Sequence, residues 1–137
     1  MKISRVPLLI LVVLLLSCAC AQARSAGEMN ELAASLTKVS STVESTVHYK
    51  KLGAGLRDMP LLTLATEHDP GLMEPFQGYV LRAKSEAGHG LVLVCTPDGQ
   101  HLLLEDATCT SRFELHHWKV EPLPSCDYTL TVETACP

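Results

Sequence analysis

Aromatic residues are scarce in this chain, with three Tyr, two Phe and one Trp among 137 residues. So thin a set argues against a stacking platform for bases or sugars. Basic residues are a minority as well, with eleven Lys and Arg against fifteen Asp and Glu and a net charge of −4. An acidic balance is poorly matched to nucleic acid or anionic lipid, so neither is expected as a partner. The sequence has no Gly-rich phosphate loop, no nucleophile elbow and no HExxH helix. Its longest apolar run, residues 8–16, is about half the length a membrane-spanning helix needs, so no membrane span is expected.

That run does fit a leader. Lys2 and Arg5 precede it and Ala21-Gln22-Ala23 follows as an A-x-A cleavage pattern, together the signature of a secretory signal peptide. Residues 1–23 are expected to be removed, leaving residues 24–137 as one small exported domain. Loss of Lys2 and Arg5 makes the remaining domain more acidic still. Its composition and cleavage pattern suggest a periplasmic or secreted protein. Leu15-Leu16-Ser17-Cys18 also resembles a lipobox, which would anchor the chain through a lipid on Cys18. Cysteine parity favours plain cleavage, because lipidation at Cys18 would leave Cys20 as an odd thiol in an oxidising space.

Cleavage leaves Cys95, Cys109, Cys126 and Cys136. Four cysteines allow three connectivities. The expected one is sequential, Cys95–Cys109 and Cys126–Cys136, with residues 106–108 turning the chain back. No pair has the two-to-four-residue spacing of a zinc site, so neither a metal nor another cofactor is expected.

Ser25 and Glu28 match a capping box. Met29, Leu32, Leu36, Val39, Val43 and Val47 recur at three- and four-residue steps, one apolar stripe of an amphipathic helix running to about Tyr49. Its second half is rich in Ser and β-branched residues, which lower helix propensity, so this helix must rely on packing. Lys50 and Gly53 mark its end. Asp58-Met59-Pro60 and Asp69-Pro70-Gly71 each read as a cap followed by an early proline, opening two further short helical pieces. Three strand-like runs follow. Residues 79–84 alternate only in part, and residues 91–95 are apolar on both faces, the pattern of a central strand covered on both sides. Pro97-Asp98-Gly99 is a strong turn, so 91–96 and 100–105 should pair as an antiparallel hairpin. The connection over residues 85–90 looks looser. Residues 112–120 form a fourth candidate strand, with Phe113, Leu115 and His117 on one face. Glu121-Pro122-Leu123-Pro124 is a stiff extended link. Residues 126–133 form a fifth candidate strand, with Tyr128, Leu130 and Val132 facing the core. The expected fold class is therefore α+β, an N-terminal helical layer on a four- to five-stranded antiparallel sheet with two disulfides.

The residues with chemical potential are few. His116, His117 and Trp118 are adjacent, but on a strand the two imidazoles face opposite ways and cannot share a metal. Glu105 and Asp106 form a carboxylate pair of the kind used in acid–base work or calcium binding, without any EF-hand pattern around them. The five make up a candidate surface site.

Gly27 near the start of the exported chain, the long first helix, the meandering sheet and two sequential C-terminal disulfides together resemble the cystatin layout. The inhibitory motifs of that family do not occur here. There is no Gln-x-Val-x-Gly stretch, and Trp118 does not follow a proline. The segment over residues 50–77 also departs from the family's pattern. The resemblance extends to architecture alone.

Small size, acidity and disulfides, without a catalytic motif, lead to an expectation of a non-enzymatic protein-binding domain, such as an inhibitor or a toxin-immunity protein. An accessory envelope protein, lipid-anchored at Cys18, is the alternative. A small hydrolase using His116 or His117 with Glu105 or Asp106 comes third.

Overall fold

Ser25 opens the first helix as the sequence suggests, its Oγ accepting from the Glu28 N–H at 3.1 Å. The return half of the capping box is not made. The Glu28 carboxylate instead accepts from the Tyr79 hydroxyl at 2.9 Å and ties the helix start to the sheet. Helix α1 spans Ala26–Lys50. All six stripe residues are buried, and so are Ala33, Ser40 and Thr46. This burial offsets the weak helix propensity of the β-branched second half. The computed structural model describes residues 24–50, 55–109 and 114–136. The leader with Cys18 and the Ala21-Gln22-Ala23 site, the glycine stop after Lys50, and Arg112 and Phe113 lie outside them.

Helix α2 spans Asp58–Ala65 and a 3-10 helix spans Pro70–Phe76. Asp58 is not the cap the sequence suggests. It is the first helical residue, with positive φ, and its carboxylate accepts from the Ala83 N–H at 3.2 Å, on the outer edge of the sheet.

The sheet is antiparallel in the order β1-β2-β3-β4, formed by β1 (Val80–Glu86), β2 (His89–Cys95), β3 (Leu102–Ala107) and β4 (Glu114–His116). The β1–β2 connection is tighter than expected. Glu86 pairs with His89, and Ala87 and Gly88 both have positive φ, which is the geometry of a two-residue primed turn whose twist suits a hairpin. The Pro97-Asp98-Gly99 turn forms as expected. Gly99 has φ +70°, its N–H donates to Thr96 O at 2.7 Å, and Asp98 accepts from Thr96 Oγ1 and the Gln100 N–H. Strand β4 ends at His116, because His117–Lys119 turns into a 3-10 helix. Among the described residues no helix is long and apolar enough to cross a membrane.

Strand β2 is central, and residues 90–95 are buried. Val92 and Val94 pack with the α1 stripe in one core layer. Leu91, Leu93 and Cys95 face the other way, against Tyr128, Leu130, Val132 and Ala135 of the C-terminal segment. That segment corrects one expectation. Residues 126–133 do not form a fifth strand. They cross the second face of the sheet as extended chain and end in α3 (Val132–Ala135). The apolar alternation is real, because Tyr128, Leu130 and Val132 do pack on the core, but the backbone finds side-chain acceptors instead of a ladder. The Thr129 and Leu130 N–H groups donate to Glu105 Oε1 at 2.8 and 2.9 Å, and the Val132 N–H donates to Glu86 Oε1 at 3.0 Å.

The disulfides join Cys95 to Cys126 and Cys109 to Cys136, so the bridges are interleaved and the sequential pairing is wrong. The reason is hairpin geometry. Cys95 ends β2, whereas Cys109 lies beyond the end of β3, where Ala107 pairs with Leu91 at the start of β2. A strand's length, about 15 Å at ~3.3 Å per residue, separates them, and no local turn closes that gap. The C-terminal segment runs the length of the strand and is stapled at both ends.

Peptide mapping of the unreduced protein should therefore yield Cys95–Cys126 and Cys109–Cys136 fragments. Recovery of a Cys95–Cys109 fragment as the main species would refute the interleaved framework.

Candidate functional site

Adjacent residues on a strand face opposite sides, and β3 places Glu105 and Asp106 accordingly. Glu105, wholly buried, points to the C-terminal segment. Besides the two backbone N–H groups on Oε1, its Oε2 accepts from the Thr129 hydroxyl and lies 3.0 Å from His117 Nε2. Every lone-pair direction of consequence is thus occupied, which is what a buried carboxylate requires. Thr129 Oγ1 is also 3.5 Å from His117 Nε2, but the acid and the hydroxyl approach the same ring nitrogen. A nucleophilic relay needs them on opposite nitrogens. The group is built as an anchor for the segment that covers the sheet. The Tyr128 ring completes this contact under two cations, Arg82 at 5.5 Å and Lys84 at 4.6 Å from its centroid. Burial pushes its phenol up in pKa.

His116 belongs to a separate rim cluster. Its Nε2 is 2.9 Å from Glu114 Oε1, its Nδ1 accepts from Trp118 Nε1 at 2.9 Å, and Lys119 lies over the Trp118 ring at 5.4 Å. The two histidines do face different ways, as strand geometry suggests. The five candidate residues consequently divide three ways: Glu105 with His117, His116 with Trp118, and Asp106 alone on the helix side.

Asp106 is 3% exposed and Ser40, across from it on α1, is 2% exposed. Burial pushes the Asp106 carboxyl up to about 6; the Ser40 hydroxyl opposes that rise, and the Glu114 carboxylate adds to it. Ser40 lies close enough for its hydroxyl to favour the carboxylate, although neither Ser40 Oγ nor Asp106 Oδ1 completes a well-formed hydrogen bond among the described residues. They line a groove of about 320 Å³ with Thr37, Ser41, Glu44 and Thr108. Glu44 is fully engaged there. It accepts from the Gly90 N–H at 3.1 Å and from the Thr108 hydroxyl, and lies 2.6 Å from His89 Nδ1. Burial raises the Glu44 carboxyl, but the bonds from Thr108, His89 and Gly90 outweigh it and hold the group below its ordinary range. Donor atoms of His89, Cys109 and Cys136 lie within 4.8 Å of one another; the two sulfurs are bridged and offer no thiolate to a metal.

A second concavity, about 500 Å³, opens at the start of α1 between Arg24, Ser25, Glu28, Gln77, Gly78, Tyr79 and Pro97. No family model, characterised protein or solved structure matches the chain. The likeness to cystatins also loses one of its supports, because it rested partly on sequential disulfides and the bridges interleave.

Ser40, Glu44, His89, Thr108 and Thr129 were not singled out in the sequence. One signal was available for Ser40. It falls four residues after Leu36 and three before Val43, so the helical period puts a hydroxyl on the buried stripe. Nothing local marks Thr129 or His89, whose partners are 24 and 45 residues away.

Substituting Glu105→Ala would remove the buried acceptor shared by the Thr129 and Leu130 N–H groups, the Thr129 hydroxyl and His117 Nε2. The expected loss is on the order of 3–5 kcal/mol, read by urea denaturation of the oxidised protein; a loss under about 1 kcal/mol would refute the anchoring role. Asp106 should show the opposite behaviour. A carboxyl whose pKa is raised in the fold stabilises it while protonated, below its ordinary value of 3.8, and loses that contribution as pH rises through about 6. Asp106→Asn should therefore raise the melting temperature at pH 8 and much less at pH 4, with about 3 kcal/mol as the ceiling. An equal effect at both pH values would contradict this.

Proposed function

We propose that the chain is a small exported, non-enzymatic protein-binding domain, periplasmic or secreted, acting as an inhibitor or a toxin-immunity protein. The observation that carries the reading is the concavity at the start of α1. Three separate connections build it: the opening of the helix, the lead-in to β1 at Gln77-Gly78-Tyr79, and the Pro97 hairpin turn. Loops held on a stiff scaffold are where binding surfaces are usually found. Here the scaffold is fixed by two disulfides and the Glu105 anchor, and the Tyr79–Glu28 bond fixes one wall. The lining is mixed and open, which suits a protruding loop of a folded partner more than a small molecule enclosed on all sides. The acidic balance of the domain favours a basic partner through steering.

Affinity capture with oxidised residues 24–137, from extract and culture supernatant of the cells that make the protein, tests this by mass spectrometry. A single stoichiometric partner is expected, and it should be lost when Gln77→Arg and Pro97→Glu are combined, since both side chains are exposed and line the groove. An eluate without a specific partner, or capture indifferent to the double substitution, would count against the proposal.

A further inference from the structure

The two disulfides of this chain sit in different surroundings. Cys95 is wholly buried at the end of β2, and its bridge to Cys126 packs against Leu93, Leu102 and Tyr128. Arg82, on that side, is taken up by the Cys126 carbonyl at 3.1 Å. Cys109 and Cys136 are both half-buried, and Cys109 lines the groove of about 320 Å³ between α1 and β3. A ring nitrogen of His89 lies within 4.8 Å of both of their sulfurs. That imidazole is itself held. Its Nδ1 is 2.6 Å from Glu44 Oε1, and Glu44 Oε2 is fixed by the Gly90 N–H and the Thr108 hydroxyl. Sulfur, imidazole and carboxylate thus stand in the order that orients a histidine beside a thiolate. The bonds that Glu44 accepts keep it ionised at neutral pH, so a proton arriving on the ring meets a counter-charge.

We propose that Cys109–Cys136 is an exchangeable disulfide, a site that a low-molecular-weight thiol enters by thiol–disulfide exchange, while Cys95–Cys126 is the structural bridge. The thiol gives its proton to His89, and its sulfur bonds to Cys109 Sγ from the groove. The Cys109–Cys136 bond breaks, and its electron pair stays on Cys136 Sγ as a thiolate beside the imidazolium. The product is a mixed disulfide on Cys109. A second thiol releases the first as a symmetric disulfide, so two thiols supply the two electrons and two protons that turn the bridge into a dithiol. A neighbouring cation stabilises a thiolate, and a less basic leaving sulfur departs faster. His89 gives that advantage to this bridge. The size of the groove and the hydroxyls of Thr37, Ser41 and Ser45 on its walls suit a small polar thiol. Opening frees only the end of the chain, because Cys95–Cys126 and the Glu105 contacts still hold residues 126–130 on the sheet. This site shares no residue with the concavity at the start of α1 and does not depend on its role.

The test is reduction of the oxidised protein at neutral pH in glutathione buffers of increasing thiol-to-disulfide ratio, quenched with N-ethylmaleimide and read by peptide mapping. Cys109 and Cys136 should open first, with glutathione trapped on Cys109, while Cys95–Cys126 stays joined and the helical circular dichroism is unchanged. His89→Gln, which keeps a donor for Glu44 but cannot take up a proton, should move the opening to a thiol ratio at least about tenfold higher. Four results would each overturn the proposal. They are earlier opening of Cys95–Cys126, opening of both bridges only as the fold is lost, glutathione trapped on Cys136 in place of Cys109, and an unchanged opening ratio in His89→Gln.

Discussion

The second face of the sheet depends on one buried carboxylate. Strands β2 and β3 are buried on both faces, so a helical layer alone would leave Leu91, Leu93 and Leu102 in water. The chain closes that side with an extended segment that bridges to His101 at Ser125 but forms no ladder beyond it, and backbone N–H groups brought onto an apolar surface need acceptors. Glu105 supplies them to Thr129 and Leu130, and Glu86 to Val132. Tyr128 under Arg82 and Lys84, together with the disulfides at each end, holds the segment in register. With Glu105 removed, the Thr129 and Leu130 N–H groups would lose their acceptor.

The two carboxylates that are neighbours in β3 have opposite energetic characters. Glu105 is satisfied by four donors and behaves as part of the framework. Asp106, one residue away on the other face, is nearly as buried but has an oxygen with no partner among the described residues. A framework acid and an unpaired acid on one strand cannot be told apart by composition. They differ because one face meets a segment rich in donors and the other meets the Ser40 side of α1. This contrast makes the helix-side groove the most distinctive chemical feature of the fold.

With α1, the interleaved bridges and the C-terminal segment laid across the sheet cover both faces of a small sheet with little chain. Among the described residues, β4 covers Glu114–His116, and His117–Lys119, expected to continue it, forms a 3-10 helix instead.

Much was legible in local pattern. The α1 stripe, the Pro97-Asp98-Gly99 turn and the doubly apolar β2 depend on periods of 3.6 and 2 and on the φ preferences of proline and glycine, which act over a few residues. The Ala87-Gly88 turn was less legible, because alanine rarely takes positive φ and only the Glu86–His89 pairing imposes it there. The apolar alternation of residues 126–133 correctly gave the face they bury, but periodicity cannot say whether a neighbouring strand or a set of carboxylates receives the backbone N–H groups. The disulfide pairing was in principle implied by the hairpin, since its two cysteines end up a strand's length apart. Tertiary structure alone decided that Glu105 meets Thr129 and His117, and that Asp106 meets Ser40. Those contacts join residues 12 to 66 positions apart, and the sequence by itself determines which faces are apolar but not which distant polar groups end up opposite each other.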